Sequence, residues 1–317
     1  MPRKIIIDTD PGVDDAMAIY FAMRSPELEL IGLTTIFGNV HTSLATTNAL
    51  RLMEIAGRPD IPVAHGADNP LAVPYGGPVP YVHGEDGQGN VFLPDPTTKP
   101  VDKTAAQFIV EQVMSQPDEV TLVPIGPLTN IALALRLEPR IAQRVKEVVI
   151  MGGNALGPGN ATPAAEANIH NDPEAADVVF GADWQLTMVG LDVTQQTVMT
   201  PDHLSEYSKF DNPMAQHIAK IVPLYQAFYG RYEELNGIFV HDPSAIAYLI
   251  DPSLFTTKQL PIRVDTNDGI SRGKTWPTLH PDVYILPPWE NRPRINVCVG
   301  VNGQGVVDLE LSRMRGS

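Results

Sequence analysis

The strongest constraint on this chain is an alternation. Short apolar runs rich in β-branched residues are each followed by a stretch with helical character. Residues 4–8 (KIIID) form an apolar run typical of a strand buried on both faces. Residues 14–24 (DDAMAIYFAMR) then read as helix, 29–36 (ELIGLTTI) as strand and 42–56 as helix. The pattern returns as helix 102–116, strand 119–124, helix 127–137, strand 146–151, helix 173–180 and strand 185–190. This order predicts an α/β fold, with a mostly parallel central sheet covered by helices.

Two stretches break the rhythm. Residues 66–101 are rich in Gly and Pro and contain HGEDGQGN, and residues 152–172 are similarly polar and Gly-rich. Loops of that length are usually functional or disordered. Helices are predicted again at 213–235 and 243–250. From 259 the chain reads as β-hairpins, with turn signals at Asp268-Gly269 and Asn302-Gly303. No repeat, low-complexity tract or convincing linker divides the sequence, so residues 1–317 are expected to form a single domain.

Composition narrows the function. With 43% apolar residues the chain can build a sizeable core. It has no apolar stretch long enough to span a membrane and no signal-peptide pattern at its start, so a cytoplasmic protein is expected. The single cysteine, Cys298, excludes an intrachain disulfide and a Cys-based zinc site. A formal net charge of −15 repels nucleic acid and anionic membrane, which leaves a small neutral substrate or a bound cation as the better partner.

The acids are clustered where an open parallel sheet binds its ligands, just beyond the carboxyl end of a strand. Asp8, Asp10, Asp14 and Asp15 follow the run KIII within eight residues, around the turn Pro11-Gly12. One acid there is accounted for by a helix cap or the helix dipole. Four would repel one another without a counter-charge, and oxygen-only ligands favour calcium or magnesium over zinc. Taken alone, IIIDTDPGV also matches the short DxDxV motif of haloacid-dehalogenase-type magnesium phosphatases. Those enzymes need a downstream Lys and a late acidic pair, and Asp192 after VGL is a lone acid.

The longer string DTDPGVDDAMAI resembles the N-terminal signature of the inosine–uridine-preferring nucleoside hydrolase family. Further collinear segments share the likeness: IFGNV at 36–40, VPIGPLTNIALAL at 123–135, MGGN at 151–154, GNATPAAEANIHNDPEAA at 159–176 and FVHDPSAIAYL at 239–249. The resemblance thus spans nearly the whole chain. It implies the Rossmann-like nucleoside hydrolase fold and hydrolysis of a ribonucleoside to ribose and free base. Family members are commonly homodimers or homotetramers.

The resemblance also implies roles. Calcium would be held by Asp10, Asp15, Asp242 and the backbone carbonyl of Ile125, where the family usually has Thr; a carbonyl ligand tolerates that change. Asp10 would take a proton from water acidified by the metal. Asp14, Asn39, Asn160, Glu166 and Asn168 would bind the sugar hydroxyls. His241, inside the His-Asp motif, is the candidate acid for the leaving base. His83 lies in the long loop, which as a lid would carry it to the sugar or base. Tyr229 is expected near the base, although a stripe spaced like Tyr225, Tyr229, Tyr232 is more often core packing. Asp8 is expected to be structural support. Position 167 is Ala where protozoal members carry an aromatic, which puts base preference in doubt. Two alternatives stand beside this reading: the magnesium phosphatase, and a non-catalytic calcium- or ribose-binding protein on the same fold.

Overall fold

A computed structural model describes residues 1–283 and 286–316; residues 284 and 285 of the predicted hairpin tail, and residue 317, lie outside the described residues. The first strand shows why the sheet is covered on both sides. In β1 (Arg3–Thr9), Ile5 and Ile7 face one layer of core and Ile6 faces the other, as the two-residue period of a strand requires. All three are buried, so β1 must lie mid-sheet between two layers of helices.

The chain then alternates as α1 (Val13–Met23), β2 (Leu28–Thr35), α2 (Thr42–Ile55), β3 (Val63–His65), α3 (Pro80–His83), β4 (Val101–Thr104), α4 (Ala105–Ser115), β5 (Val120–Pro124), α5 (Thr129–Leu137) and β6 (Glu147–Met151). It continues through α6 (Ala167–Asn171), α7 (Pro173–Phe180), β7 (Leu186–Val189), α8 (Leu191–Thr194), β8 (Val198–Met199), α9 (Pro201–Glu206), α10 (Pro213–Tyr232), β9 (Ile238–Phe239) and α11 (Asp242–Ile250). The last elements are β10 (Phe255–Val264), β11 (Thr275–Pro277), β12 (Arg294–Val301) and α12 (Gly303–Arg315).

Ten strands form one sheet in the order β11-β10-β12-β7-β6-β5-β1-β2-β3-β4. From β4 to β12 neighbouring strands are parallel; β10 runs antiparallel to β12 and to β11. The predicted α/β sheet with an antiparallel C-terminal part is therefore observed. After β1 the chain builds outward through β2, β3 and β4, then returns to add β5 on the other side. That reversal opens a crevice at the carboxyl ends of β1 and β5, the place where such sheets bind ligands.

Two local expectations are corrected, and one strand was not expected. Residues 101–104 form β4, so the helix predicted from 102 starts at Ala105. Thr104 caps it, accepting from the Gln107 N–H, while the Gln107 side chain accepts from the Thr104 N–H. Asn302-Gly303 is not a hairpin turn: Asn302 Oδ1 accepts from Gly305 N at 3.0 Å and caps α12. Strand β3 escaped the sequence reading because three residues show too little alternation to register.

The long segment 66–101 is irregular apart from α3, yet its inner part is firmly pinned. The Asp86 carboxylate accepts from the N–H groups of Gln88, Asn90 and Phe92. Gln88 Nε2 donates to the carbonyls of Pro11 and Gly12 at 3.1 and 2.9 Å, and Gln88 Oε1 lies 2.9 Å from His217 Nε2 on α10. The segment therefore ties α10 to the turn after β1.

Candidate active site

A cavity of about 190 Å³ lies at the crevice beside β1 and β5. Asp14, Asn39, His83, Ile125, Asn160, Glu166, Asn168, Tyr229, His241 and Asp242, ten of the expected site residues, line its wall. Asp10 and Asp15 sit behind that wall, buried at the foot of the turn after β1.

Backbone geometry explains where the acids point. Asp15 lies in the first turn of α1, and its Oδ2 accepts from Gly12 N at 2.9 Å, closing the Pro11-Gly12 turn. Its Oδ1 accepts from Thr9 Oγ1 at 2.5 Å, and the Asn39 side chain donates to Oδ2 at 3.0 Å. Asp10 Oδ2 accepts from Asn39 N at 2.6 Å, while Asp10 Oδ1 is buried with no hydrogen-bond partner. Two glycines give Asp10 room: a Cβ at Gly38 would stand 2.0 Å from its Oδ2, and one at Gly126 would stand 2.5 Å from its Oδ1.

The donor set fits a hard cation. One oxygen each from Asp14, Asp15 and Asp242 lies within 4.8 Å of the others. Asp10 is not part of this tightest trio, although it is close enough for the charges of Asp15 and Asp14 to act on it. Asp14 Oδ1, like Asp10 Oδ1, is buried without a partner. Burial, reinforced by the neighbouring acids, pushes the Asp10 and Asp242 carboxyls well above the usual range. The same causes raise Asp14 to about 7, with the Tyr225 hydroxyl pulling it partly back. Buried carboxylates crowded this way need a counter-charge, and an all-oxygen set suits calcium or magnesium.

One end of the cavity is lined by short polar groups. Glu166 caps α6: its Oε1 accepts from Asn168 N at 2.9 Å, and its Oε2 from Gly153 N at 2.9 Å and Ile169 N at 3.1 Å. Asn168 Nδ2 donates to the carbonyls of Ile125 and Met151, which ties α6 to the ends of β5 and β6. Asn160 Oδ1 accepts from Ala167 N at 3.0 Å.

Aromatic and imidazole rings line the other end. The His83 ring stacks on Tyr225 with centroids 5.3 Å apart, and His83 Nδ1 accepts from Val13 N at 3.1 Å. Burial, aided by His241, pushes the His83 pKa down to about 3, so the ring is neutral and its proton sits on Nε2. It therefore forms no ion pair with Asp14, 4.0 Å away. His241 Nε2 lies 3.0 Å from the Tyr229 hydroxyl, and His241 Nδ1 lies 2.8 Å from Thr194 Oγ1. Burial lowers His241 to about 4. Tyr225, Phe228 and Phe239 join this wall. The sequence reading saw Tyr225 as part of a packing stripe and had no signal for Thr194, which meets His241 across 47 residues of chain.

Asp8 and Asp192 stand apart from the cavity. Asp8 Oδ1 accepts from Thr34 Oγ1 and Asn130 Nδ2, and burial raises its pKa to about 7. The Asp192 carboxylate is occupied by backbone N–H groups of residues 155–157, which leaves the phosphatase reading without its late acid.

Comparison with known proteins agrees with this geometry. Residues 5–308 match the family model described as inosine-uridine preferring nucleoside hydrolase. A probable uridine nucleosidase 2 of Arabidopsis thaliana is 44% identical over 98% of this chain and 97% of its own length. The inosine-uridine preferring nucleoside hydrolase of Crithidia fasciculata is 45% identical over 87% of each chain. Among solved structures, a plant nucleoside hydrolase superposes with a TM-score of 0.97 at 39% identity, covering 100% of both chains. A purine-preferring ribonucleoside hydrolase from Gardnerella vaginalis gives 0.91 at 34% identity, covering 99% of this chain and 98% of its own. With its parallel sheet, its crevice of buried carboxylates and these likenesses, the chain belongs to the inosine-uridine preferring nucleoside hydrolase family and is a nucleoside hydrolase.

Proposed function

We propose that this protein hydrolyses the N-glycosidic bond of ribonucleosides with the help of calcium, and that Asp10 is the base for the attacking water. The observation that carries the reading is the pair of buried, unpartnered oxygens, Asp10 Oδ1 and Asp14 Oδ1, beside carboxylates that converge on one point. Asp10, Asp15, Asp242 and the Ile125 carbonyl would hold the ion. Bound there, calcium would acidify water and anchor sugar hydroxyls.

The chain's own groups do the rest. Asp10 is held through Oδ2 by the Asn39 N–H, which leaves its partnerless Oδ1 as the oxygen that would take the proton from water. Asp14, Asn39, Asn160, Glu166 and Asn168 orient the ribose, and the carboxylates among them favour the positive charge that grows on an oxocarbenium-like transition state. His241, neutral at physiological pH, presents its ring to the departing base, with Tyr229 hydrogen-bonded to Nε2 and Thr194 to Nδ1. His83 and Tyr225 wall the same side.

Uridine and inosine are the natural first substrates, because plant relatives are named uridine nucleosidases and the Leishmania major and Crithidia fasciculata relatives inosine-uridine preferring. The same reading takes residues 1–317 as one catalytic domain, acting in the cytoplasm as a homodimer or homotetramer. A reducing-sugar assay on uridine, inosine and their 2′-deoxy counterparts tests it. Release of ribose, with 2′-deoxynucleosides turned over far more slowly, is expected. Equal turnover of deoxynucleosides, or an Asp10→Ala variant as active as wild type, would overturn it.

A further inference from the structure

Asp192 is the one late acid that the sequence offered and the cavity does not use. Its Oδ2 accepts from Ala155 N at 2.6 Å, and its Oδ1 from Leu156 N at 2.7 Å and Gly157 N at 2.9 Å. The other polar side of the same turn meets a cation. Lys274 Nζ, just before β11, donates to the carbonyls of Asn154 at 2.7 Å and Gly157 at 2.8 Å, and Lys274 is 7% exposed. Thr275 Oγ1 adds contacts to both the N–H and the carbonyl of Asn154. A four-residue turn is thus gripped by a carboxylate on its donors and an ammonium on its acceptors.

That grip reaches the cavity. Asn154 Nδ2 donates to the Ala164 carbonyl at 2.9 Å, and the preceding residue, Gly153, donates its N–H to Glu166 Oε2. The Asn160 side chain in turn accepts from Ala167 N. The turn 154–157 is therefore the footing of the loop that carries Asn160 and Glu166. Water would satisfy these backbone groups equally well on an exposed loop. Two opposite charges, brought from α8 and from the far edge of the sheet, fix its height instead, as an outer layer of support does for ligand-binding groups.

We propose that Asp192 and Lys274 are positioning residues that hold the loop 154–166 so that Asn160 and Glu166 face the sugar. This rests on the reading above that Asn160 and Glu166 bind ribose. The test uses the full chain with Asp192→Ala, Asp192→Asn and Lys274→Met, alongside Glu166→Gln and Asn160→Ala. Ribose binding and calcium binding are measured separately by calorimetry, with thermal unfolding and uridine KM and kcat. Asp192→Ala should weaken ribose binding and raise KM by about tenfold or more. Most of the loss should fall on KM, with calcium affinity and Tm held. Lys274→Met should act in the same direction, and Asp192→Asn, which keeps one acceptor oxygen, should recover part of the loss. Wild-type ribose affinity in Asp192→Ala, while Glu166→Gln loses it, would overturn the positioning role. So would a joint fall of ribose affinity, calcium affinity and Tm that Asp192→Asn leaves uncorrected. Wild-type ribose affinity in Glu166→Gln and Asn160→Ala as well would sink the sugar-binding reading, and this inference with it.

Discussion

Tyr229 and His241 meet through a 3.0 Å contact between the tyrosine hydroxyl and the imidazole Nε2 on the wall of the cavity. The pair joins α10 to the residue just before α11. If it assists the departing base, His241→Ala should lower kcat on inosine by about 10²–10⁴-fold. Tyr229→Phe should lose less, since it removes one hydrogen bond to the ring. A nitrophenyl riboside, whose leaving group departs as a stable anion, should be cleaved by both variants at close to the wild-type rate. Equal losses on both substrates would assign the pair a packing role instead.

If the crowded carboxylates hold a cation as proposed, stability should depend on it. Calcium added to metal-stripped protein should raise Tm, by an amount equivalent to about 2.7 kcal/mol at a hundred times its Kd. Asp242→Asn should blunt that shift. Chelation should abolish ribose release, and restoring calcium should return it. A calcium-insensitive Tm measured by calorimetry would count against the site.

Asn130 supports the floor beneath the acids. Its Nδ2 donates to Asp8 Oδ1 and to the Thr35 carbonyl, and its Oδ1 accepts from Ala67 N. Asn130→Ala removes one of two donors from Asp8 Oδ1, which keeps Thr34, and takes this partner from the Thr35 carbonyl and the Ala67 N–H; a loss of roughly 1–3 kcal/mol is expected. Denaturant unfolding with and without added calcium measures it.

Glu310 on α12 gives a pH dependence far from the cavity. It accepts from the Tyr207 hydroxyl at 2.6 Å, and burial raises its pKa to about 8. A buried acid with a raised pKa is bound to its proton in the folded chain after the unfolded chain has lost its own. Its contribution is therefore complete below about pH 4.5 and is lost progressively as pH climbs to about 8. The slope from this group is at most about 1.4 kcal/mol per pH unit. Glu310→Gln should flatten stability against pH across that window, read as Tm at successive pH values.

Much of this was legible in the chain because period and motif are local signals. KIIID announces a central strand by its length and apolar character, and DTDPGVDD announces a crowding of acids by charge density alone. What escaped depends on contacts distant in sequence. Gln88 reads as one residue of a polar loop, yet it bonds the carbonyls of Pro11 and Gly12. Lys274 reads as an isolated cation in a hairpin and proves to grip residues more than a hundred positions away. Asn302-Gly303 failed for a different reason: Asn suits a hairpin turn and a helix cap equally, and the following residues decide between them.

The cavity wall has two origins. Its carboxylate and amide end gathers Asp14 after β1, Glu166 and Asn168 at the start of α6 and Asp242 at the start of α11, all four buried. Its aromatic end comes from α3, α10, β9 and the residue before α11, and its Tyr81 is already open to solvent. Substitution is therefore tolerated unequally along one pocket. If those carboxylates hold the sugar, as proposed, descendants of this sequence would change nucleobase by exchanging rings such as the exposed Tyr81, while the buried acids stay untouched.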